Sequence, residues 1–214
     1  MLRFPIILSI IIILLSSCSG KTGIGASAVD TLLAQFDKTD AEGLHIYSPC
    51  DTTDGKKYEG RQIDPSYYKF LAFGDNEDDF MADTSVHVYA CYRFKLSDNK
   101  TGLILRRPSE YDASALDLYV WDDTAKKVTN IVNLADDYGD GDWVIVQDAW
   151  ITDVNDDNFP DIVTRTKEYG GDSDDSVKTI STDSLFVLIG NDSSYTRTTI
   201  PVDTSRFQLF NWVK

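Results

Sequence analysis

Basic side chains are scarce in this chain. Lysine and arginine number 20 against 35 aspartates and glutamates, a formal charge of −15. A charge of that sign repels a phosphate backbone at long range and argues against nucleic acid or anionic lipid headgroups as partners; cations or basic partners fit better. Histidine is scarcer still: His45 and His87 are the only two. They stand far apart, each in an alternating segment, which argues against a histidine-built zinc site and makes each a strand residue. Six prolines and 13 glycines are too few for a collagen-like or low-complexity chain. No G-x-S-x-G elbow, Walker loop, Rossmann glycine pattern or H-E-x-x-H occurs, which removes the motif-bearing hydrolases, nucleotide enzymes and zincins. Carboxylates suited to glycoside hydrolysis are so abundant that no pairing of them is informative, and the chain is read as a non-enzyme. No apolar run reaches the roughly 20 residues that cross a bilayer as a helix. What remains is 214 residues, 42% apolar and 26% charged, enough to bury the core of one domain or at most two.

The longest apolar run covers residues 4–15, directly after Met1-Leu2-Arg3, and reads as an export signal too short to span a membrane. Leu15-Ser16-Ser17-Cys18 follows and resembles the lipobox of bacterial lipoproteins. The resemblance implies removal of residues 1–17 and lipidation of Cys18, whose several acyl chains would form a stable membrane anchor. The alternative is an uncleaved signal anchor with an incidental cysteine. Cleavage removes only Arg3 among the charged groups and leaves 19 basic against 35 acidic side chains, a formal −16. Ser19 stands where an aspartate would resemble an inner-membrane retention signal, and no acidic cluster follows Cys18. An outer-membrane, periplasm-facing lipoprotein is therefore expected. Residues 18–27 are the lipidated cysteine and a Gly/Ser-rich tether, and residues 28–214 form a single β-rich domain.

With Cys18 lipidated, Cys50 and Cys91 remain as an even pair in an oxidising compartment, and a disulfide between them is expected. Closing a loop of about 42 residues would contribute about 4 kcal/mol on the chain-entropy model. The alternative is two free thiols, with Cys91 on the same side of a strand as His87 but no third group to orient such a pair.

Residues 28–38 place Val29, Leu32, Leu33 and Phe36 at helical spacing, which predicts one amphipathic helix. A second, short helical turn is expected after Asp64-Pro65. From residue 85 the period becomes two. Val86, Val88, Ala90, Tyr92, Phe94 and Leu96 alternate with His87, Tyr89, Cys91, Arg93 and Lys95, the pattern of a long strand with one buried face. Further strands are expected at 103–107, 116–121, 127–134, 143–152, 162–167, 185–189, 195–200 and 207–213, separated by Asp-, Asn- and Gly-rich turns. The fold class is mainly β: an antiparallel multi-strand sheet, as a sandwich or partial propeller, with a short N-terminal helix.

One of those turns carries chemistry. Asp153-Val154-Asn155-Asp156-Asp157-Asn158-Phe159-Pro160-Asp161 has oxygen-bearing side chains at positions 1, 3, 5 and 9. Hard cations such as Ca²⁺ take six to eight oxygens, and alternate side chains of a curled loop converge on one point. Asp153, Asn155, Asp157 and Asp161 would be ligands, with a main-chain carbonyl near Phe159, while Asp156 faces outward. Asn158 occupies a place that wants a positive φ. An EF-hand would need Glu at position 12, where Thr164 stands, and flanking helices. The alternative is an Asx-rich turn held by its own hydrogen bonds without metal. Set between strands, the loop resembles the FG-GAP or VCBS calcium loop, D-x-N-x-D-G-x-x-D. Leu185-Phe186-Val187-Leu188-Ile189-Gly190-Asn191-Asp192 is similar to the strand and Gly-Asn turn that follow in those repeats. The two segments lie within residues 150–196, and no second copy exists, so a full calcium-bound propeller is not implied.

The expected function is thus a lipid-anchored envelope β-protein with a structural calcium loop, acting as a binding module. Two alternatives carry weight. One is an acidic inhibitor or immunity-type protein directed against a basic hydrolase or toxin. The other is a glycan-binding outer-membrane component that uses Trp121, Trp143, Trp150 and Trp212 as a stacking platform.

Overall fold

The computed structural model describes residues 27–48, 55–71, 87–108, 114–140, 143–170, 179–192 and 194–210. It is mainly β, as expected. One short helix, α1 (Ala28–Leu33), begins at a capping box: Ser27 Oγ accepts from the Asp30 amide and the Asp30 carboxylate accepts from the Ser27 amide. The helix ends five residues earlier than its apolar spacing predicts, because Asp37 and Lys38 leave it to form strand β1 (Asp37–Lys38). The expected helical turn after Asp64-Pro65 is a 3₁₀ turn over Pro65–Phe70, opened by the Asp64 carboxylate accepting from Ser66 N at 2.8 Å.

The remaining strands are β2 (Leu44–Tyr47), β3 (Arg61–Gln62), β4 (Tyr89–Ser97), β5 (Lys100–Pro108), β6 (Ser114–Asp122), β7 (Lys127–Asp140), β8 (Trp143–Thr152), β9 (Asp161–Gly170), β10 (Thr179–Gly190) and β11 (Tyr195–Thr198). From β4 to β11 they form one antiparallel meander in sequence order, open at both ends. Strand β1 adds in parallel to β4, β3 pairs with β4, and β2 pairs with β8. The 14-residue β7 belongs to both halves of this sheet. Its residues 127–135 pair with β6, and its residues 136–140 pair with β8. Beyond residue 147, the edge of β8 that β7 vacates is taken by β2. A polar chain crosses the junction: Asn133 donates to Asp117 (3.0 Å), Gln147 to Asn133 (2.7 Å) and Thr166 to Gln147 (3.0 Å).

Three cores follow from this arrangement. The central one joins both halves, with Phe94, Leu96, Ile104, Leu116, Leu118 and Leu134 facing Ile46, Ala149, Ile151 and Ile162. The outer face of β4–β6 is covered by Leu32, Leu33 and Phe36 of the α1 segment and by Leu71, over Val88, Leu103, Leu105, Tyr119 and Trp121. The outer face of β8–β10 is covered by Phe207 and Leu209 over Val146, Trp150, Val163 and Val187. The four-strand-per-blade pattern of a propeller is not built among the described residues.

Two expectations are corrected here. The first is that β4 has a single buried face. Ala90 faces Leu105 while Tyr92 faces Ile104, so Cys91 is an extra residue in the register. A one-residue slip turns every later side chain to the opposite face. Val88 and Ala90 therefore pack in the outer core, and Phe94 and Leu96 in the central one. Gly102 lies beneath the Phe94 ring, where a methyl group would sit 2.6 Å from Cε2. The second is the last expected strand, 207–213, whose described residues 207–210 are not strand, residues 211–213 lying outside the described ones. Thr204–Arg206 form a 3₁₀ turn opened by the Asp203 side chain. Phe207 and Leu209 then act as a strap, held by Arg165 donating to Phe207 O at 2.6 Å.

Candidate metal loop and its surroundings

The 153–161 loop joins β8 to β9, the strand–loop–strand setting read from the sequence. Its curl comes from two residues in the left-handed region, Asp156 (φ 60°) and Asn158 (φ 67°). Asparagine and aspartate tolerate that region better than most residues. Asp156 is exposed, and so are Asn155, Asp157 and Asn158, while Asp153 is half-buried.

Asp153 is the hub of the curl. Its carboxylate accepts from the amides of Asn158 (2.7 Å), Asp157 (3.2 Å) and Asn155 (3.3 Å). Burial alone would raise its pKa, but these amides outweigh it and hold the carboxyl below its ordinary value. Asp157 accepts from Phe159 N at 2.7 Å and from the Asn155 side-chain amide at 2.8 Å. Asp161 is fully buried at the head of β9. It accepts from Val154 N (3.0 Å) and from Gly190 N (2.9 Å), so one carboxylate ties the loop to the end of β10. Burial pushes Asp161 above the usual carboxylate range. The two amides oppose that shift, and the nearby charges of Asp157 and Asp153 reinforce it. Phe159 packs over Gly190, where a methyl group would lie 2.6 Å from the ring and 2.7 Å from Pro160 O.

Asp153, Asn155, Asp157 and Asp161 thus share one small loop, and their oxygens suit a hard cation in kind and spacing. The structure directs those oxygens to loop amides. Among the described residues no three His, Cys, Asp or Glu side chains are gathered closely enough to hold a metal ion. For Ca²⁺ to enter, Asn155 and Asp157 would exchange amide contacts for the cation. Their carboxylate neighbours already repel one another, and a cation would relieve that repulsion.

Sequence reading missed Glu42. It accepts from Thr152 Oγ1 at 2.8 Å and from Asp153 N at 3.3 Å, bracing the loop entrance from 110 residues away in the chain. Nothing local in the sequence marks it. Also missed is the pair formed by His45 and Asp148 on neighbouring β2 and β8. His45 Nε2 lies 2.8 Å from Asp148 Oδ2, and the ring stacks on Trp150 with centroids 4.4 Å apart. The Asp148 carboxylate also accepts from Phe210 N at 2.8 Å, which pins the end of the strap.

Of the expected Cys50–Cys91 disulfide the structure describes only Cys91, a buried free thiol. The bulge turns Cys91 into the central core, where its thiol contacts Tyr58 O at 3.4 Å. Burial pushes the thiol up to about 12, which removes the nucleophile imagined beside His87. The His87 ring instead meets the Gln62 side chain at 3.1 Å. Cys50 and Cys18 lie outside the described residues. The tryptophan platform is not assembled: Trp121 and Trp150 are buried in different cores, Trp143 is 41% exposed, and Trp212 lies outside the described residues.

Comparison with known protein families, curated proteins and solved structures yields no match to this chain. The functional reading therefore rests on its own residues.

Proposed function

We propose that the protein is an envelope lipoprotein, anchored through Cys18 to the outer membrane, whose β-domain acts as a binding module with a calcium ion in the 153–161 loop. The observation that carries the calcium reading is the Asp153 hub. An inward-facing carboxylate stands in a D-x-N-x-D-x-x-x-D loop between two strands, and at Asp161 burial first, with the charges of Asp157 and Asp153 adding to it, disfavours ionisation. The calcium would be structural, supplying positive charge that offsets these carboxylates and fixes the loop against Gly190. At ten times its dissociation constant it would contribute about 1.4 kcal/mol. Among the described residues no helix is long and apolar enough to cross a membrane, so attachment rests on the N-terminal segment.

The test is calorimetric titration of Ca²⁺ into the metal-stripped protein, with Asp153→Ala and Asp157→Ala alongside. Binding near one equivalent, lost in both variants, is expected. An equal response in all three proteins would refute the site.

One observation favours a second reading, an acidic inhibitor of a basic envelope protein. A cleft of about 430 Å³ at one end of the sheet is lined by Asp98, Asp122 and Asp192 together with Ser97, Asn99, Lys100 and Thr124. Capture of a basic partner there should weaken steeply as salt screens the charges.

A further inference from the structure

Two cations meet across the β1–β4 pair. Lys38 is the direct neighbour of Arg93 in the parallel register. Lys95 follows two residues later on the same face of β4, opposite Thr101 of β5. Like charges placed directly opposite in a sheet repel. The chain carries 35 carboxylates, yet none among the described residues pairs with Lys38 or Arg93. Three carboxylates on or beside these strands are engaged elsewhere: Asp37 with Arg61 at 2.7 Å, Asp98 with Lys95 at 2.7 Å, and Asp123 with the Thr101 hydroxyl at 2.8 Å. The Lys95–Asp98 pair is almost fully solvent-exposed, of the kind that contributes little and gives way easily.

Arg93 adds the second observation. Its Nε is buried and has no hydrogen-bond acceptor, an exception that in native proteins asks for a partner. A guanidinium presents paired N–H groups in a planar fork that matches the oxygens of a phosphate. Lys38, Arg93 and Lys95, with Thr39, Phe94 and Thr101, line a single cleft of about 270 Å³, room for a phosphate group and part of what carries it.

We propose that this cleft is an oxyanion site that takes a phosphate group, with Arg93 gripping the oxygens and Lys38 and Lys95 supplying the charge. A free phosphate and the phosphate of a lipid headgroup share that chemistry, and the test separates them. The site is local: three cations at one sheet edge act within a Debye length, while the net charge of −15 acts on approach from afar. It stands independently of the calcium loop, which joins β8 and β9, while this cleft lies at the β1–β4 end of the strand order.

The experiment follows the Arg93 Nε–H resonance by ¹⁵N NMR in the full chain held in detergent micelles. One arm adds inorganic phosphate, with chloride at matched ionic strength as reference, and the other dopes the micelles with phosphatidic acid. A shift with phosphate assigns the free anion, and a shift only in doped micelles assigns the headgroup; either supports the site. In the supporting arm Lys38→Gln is expected to weaken binding about tenfold. Arg93→Gln is expected to abolish the rise in melting temperature that the anion gives the wild-type chain. Without ligand, Arg93→Gln should fold at least as stably as wild type, since it removes a buried orphan donor and a like-charge contact. If that variant fails to fold, Lys38→Gln, on an exposed edge residue, decides alone. No shift in either arm, or unchanged binding in Lys38→Gln, overturns the proposal.

Discussion

Asp161→Ala tests how the 153–161 loop is held. The substitution deletes two charge-assisted bonds, from Val154 N at 3.0 Å and Gly190 N at 2.9 Å, at a fully buried position. Bonds to a charged acceptor contribute about 1.5–3 kcal/mol each, and a buried amide left without one adds a desolvation cost. Against this stand the burial of the carboxylate and its repulsion from Asp157 and Asp153, which make its ionised form costly. Setting the second effect against the first leaves a net loss of about 3 kcal/mol. For a domain of this size that corresponds to a drop of about 6–12 °C in melting temperature. Asp161→Asn keeps one acceptor oxygen but turns an NH₂ toward the other amide, so about half that loss is expected. Urea unfolding at pH 7 with a chelator present separates this framework from any cation effect. A loss below about 1 kcal/mol in Asp161→Ala would mean that the two bonds do not hold the loop.

Other perturbations follow from the same geometry. Gly190→Ala drives a methyl into the Phe159 ring and Pro160 O, and should cost about 1–3 kcal/mol by overpacking; an equilibrium unfolding curve like that of wild type would contradict the contact. Native Cys91, its thiol pushed up to about 12 by burial, should resist maleimide at pH 8 and react once unfolded, as read by mass spectrometry. Burial raises Asp136 and Asp137 above the usual carboxylate range, with repulsion from other aspartates adding to it. Their contribution to stability is full below the unfolded pKa of about 3.9 and is lost as pH rises through their folded values. Asp137→Asn should therefore raise the melting temperature at pH 7 and flatten that pH dependence. Asp183, held low by hydrogen bonds and charge from Arg165, has the opposite sign. It stabilises above the unfolded pKa, and Asp183→Asn should cost most at neutral pH and least in acid.

Local pattern made much of this fold legible. Strands β5 to β11 appear where alternating or apolar runs are bounded by Asp, Asn and Gly, because one turn residue such as Asp98 or Asn191 is enough to reverse the chain. Half of the loop's curl is legible too: Asn158 stands at a place that wants a positive φ, whereas nothing in the sequence marks the positive φ of Asp156. Non-local effects could not be read. The helix was overextended because the spacing of Leu32, Leu33 and Phe36 says nothing of the edge of β4 that draws away Asp37 and Lys38. The Cys91 bulge is invisible because alternation looks identical on either side of a slip. Glu42 and Asp148 meet their partners across about a hundred residues, and no window along the sequence holds both ends of such a contact.

The order of the strands also bears on how the chain assembles in time. From β4 onward each strand lies beside its predecessor, so each closure is short and entropically cheap, the topology that favours rapid folding. The exceptions sit at the other end: β1 and β3 wait for β4, and β2 waits for β8, about a hundred residues downstream. In a chain delivered N-terminus first, β1 and β3 can pair as soon as β4 emerges, whereas β2 must wait for β8. Until β8 is complete, β2 and its His45 have no edge to join. Strand β2 thus stays without a partner longest, so the interval before it docks on β8 is when the chain is most open to misassembly or proteolysis.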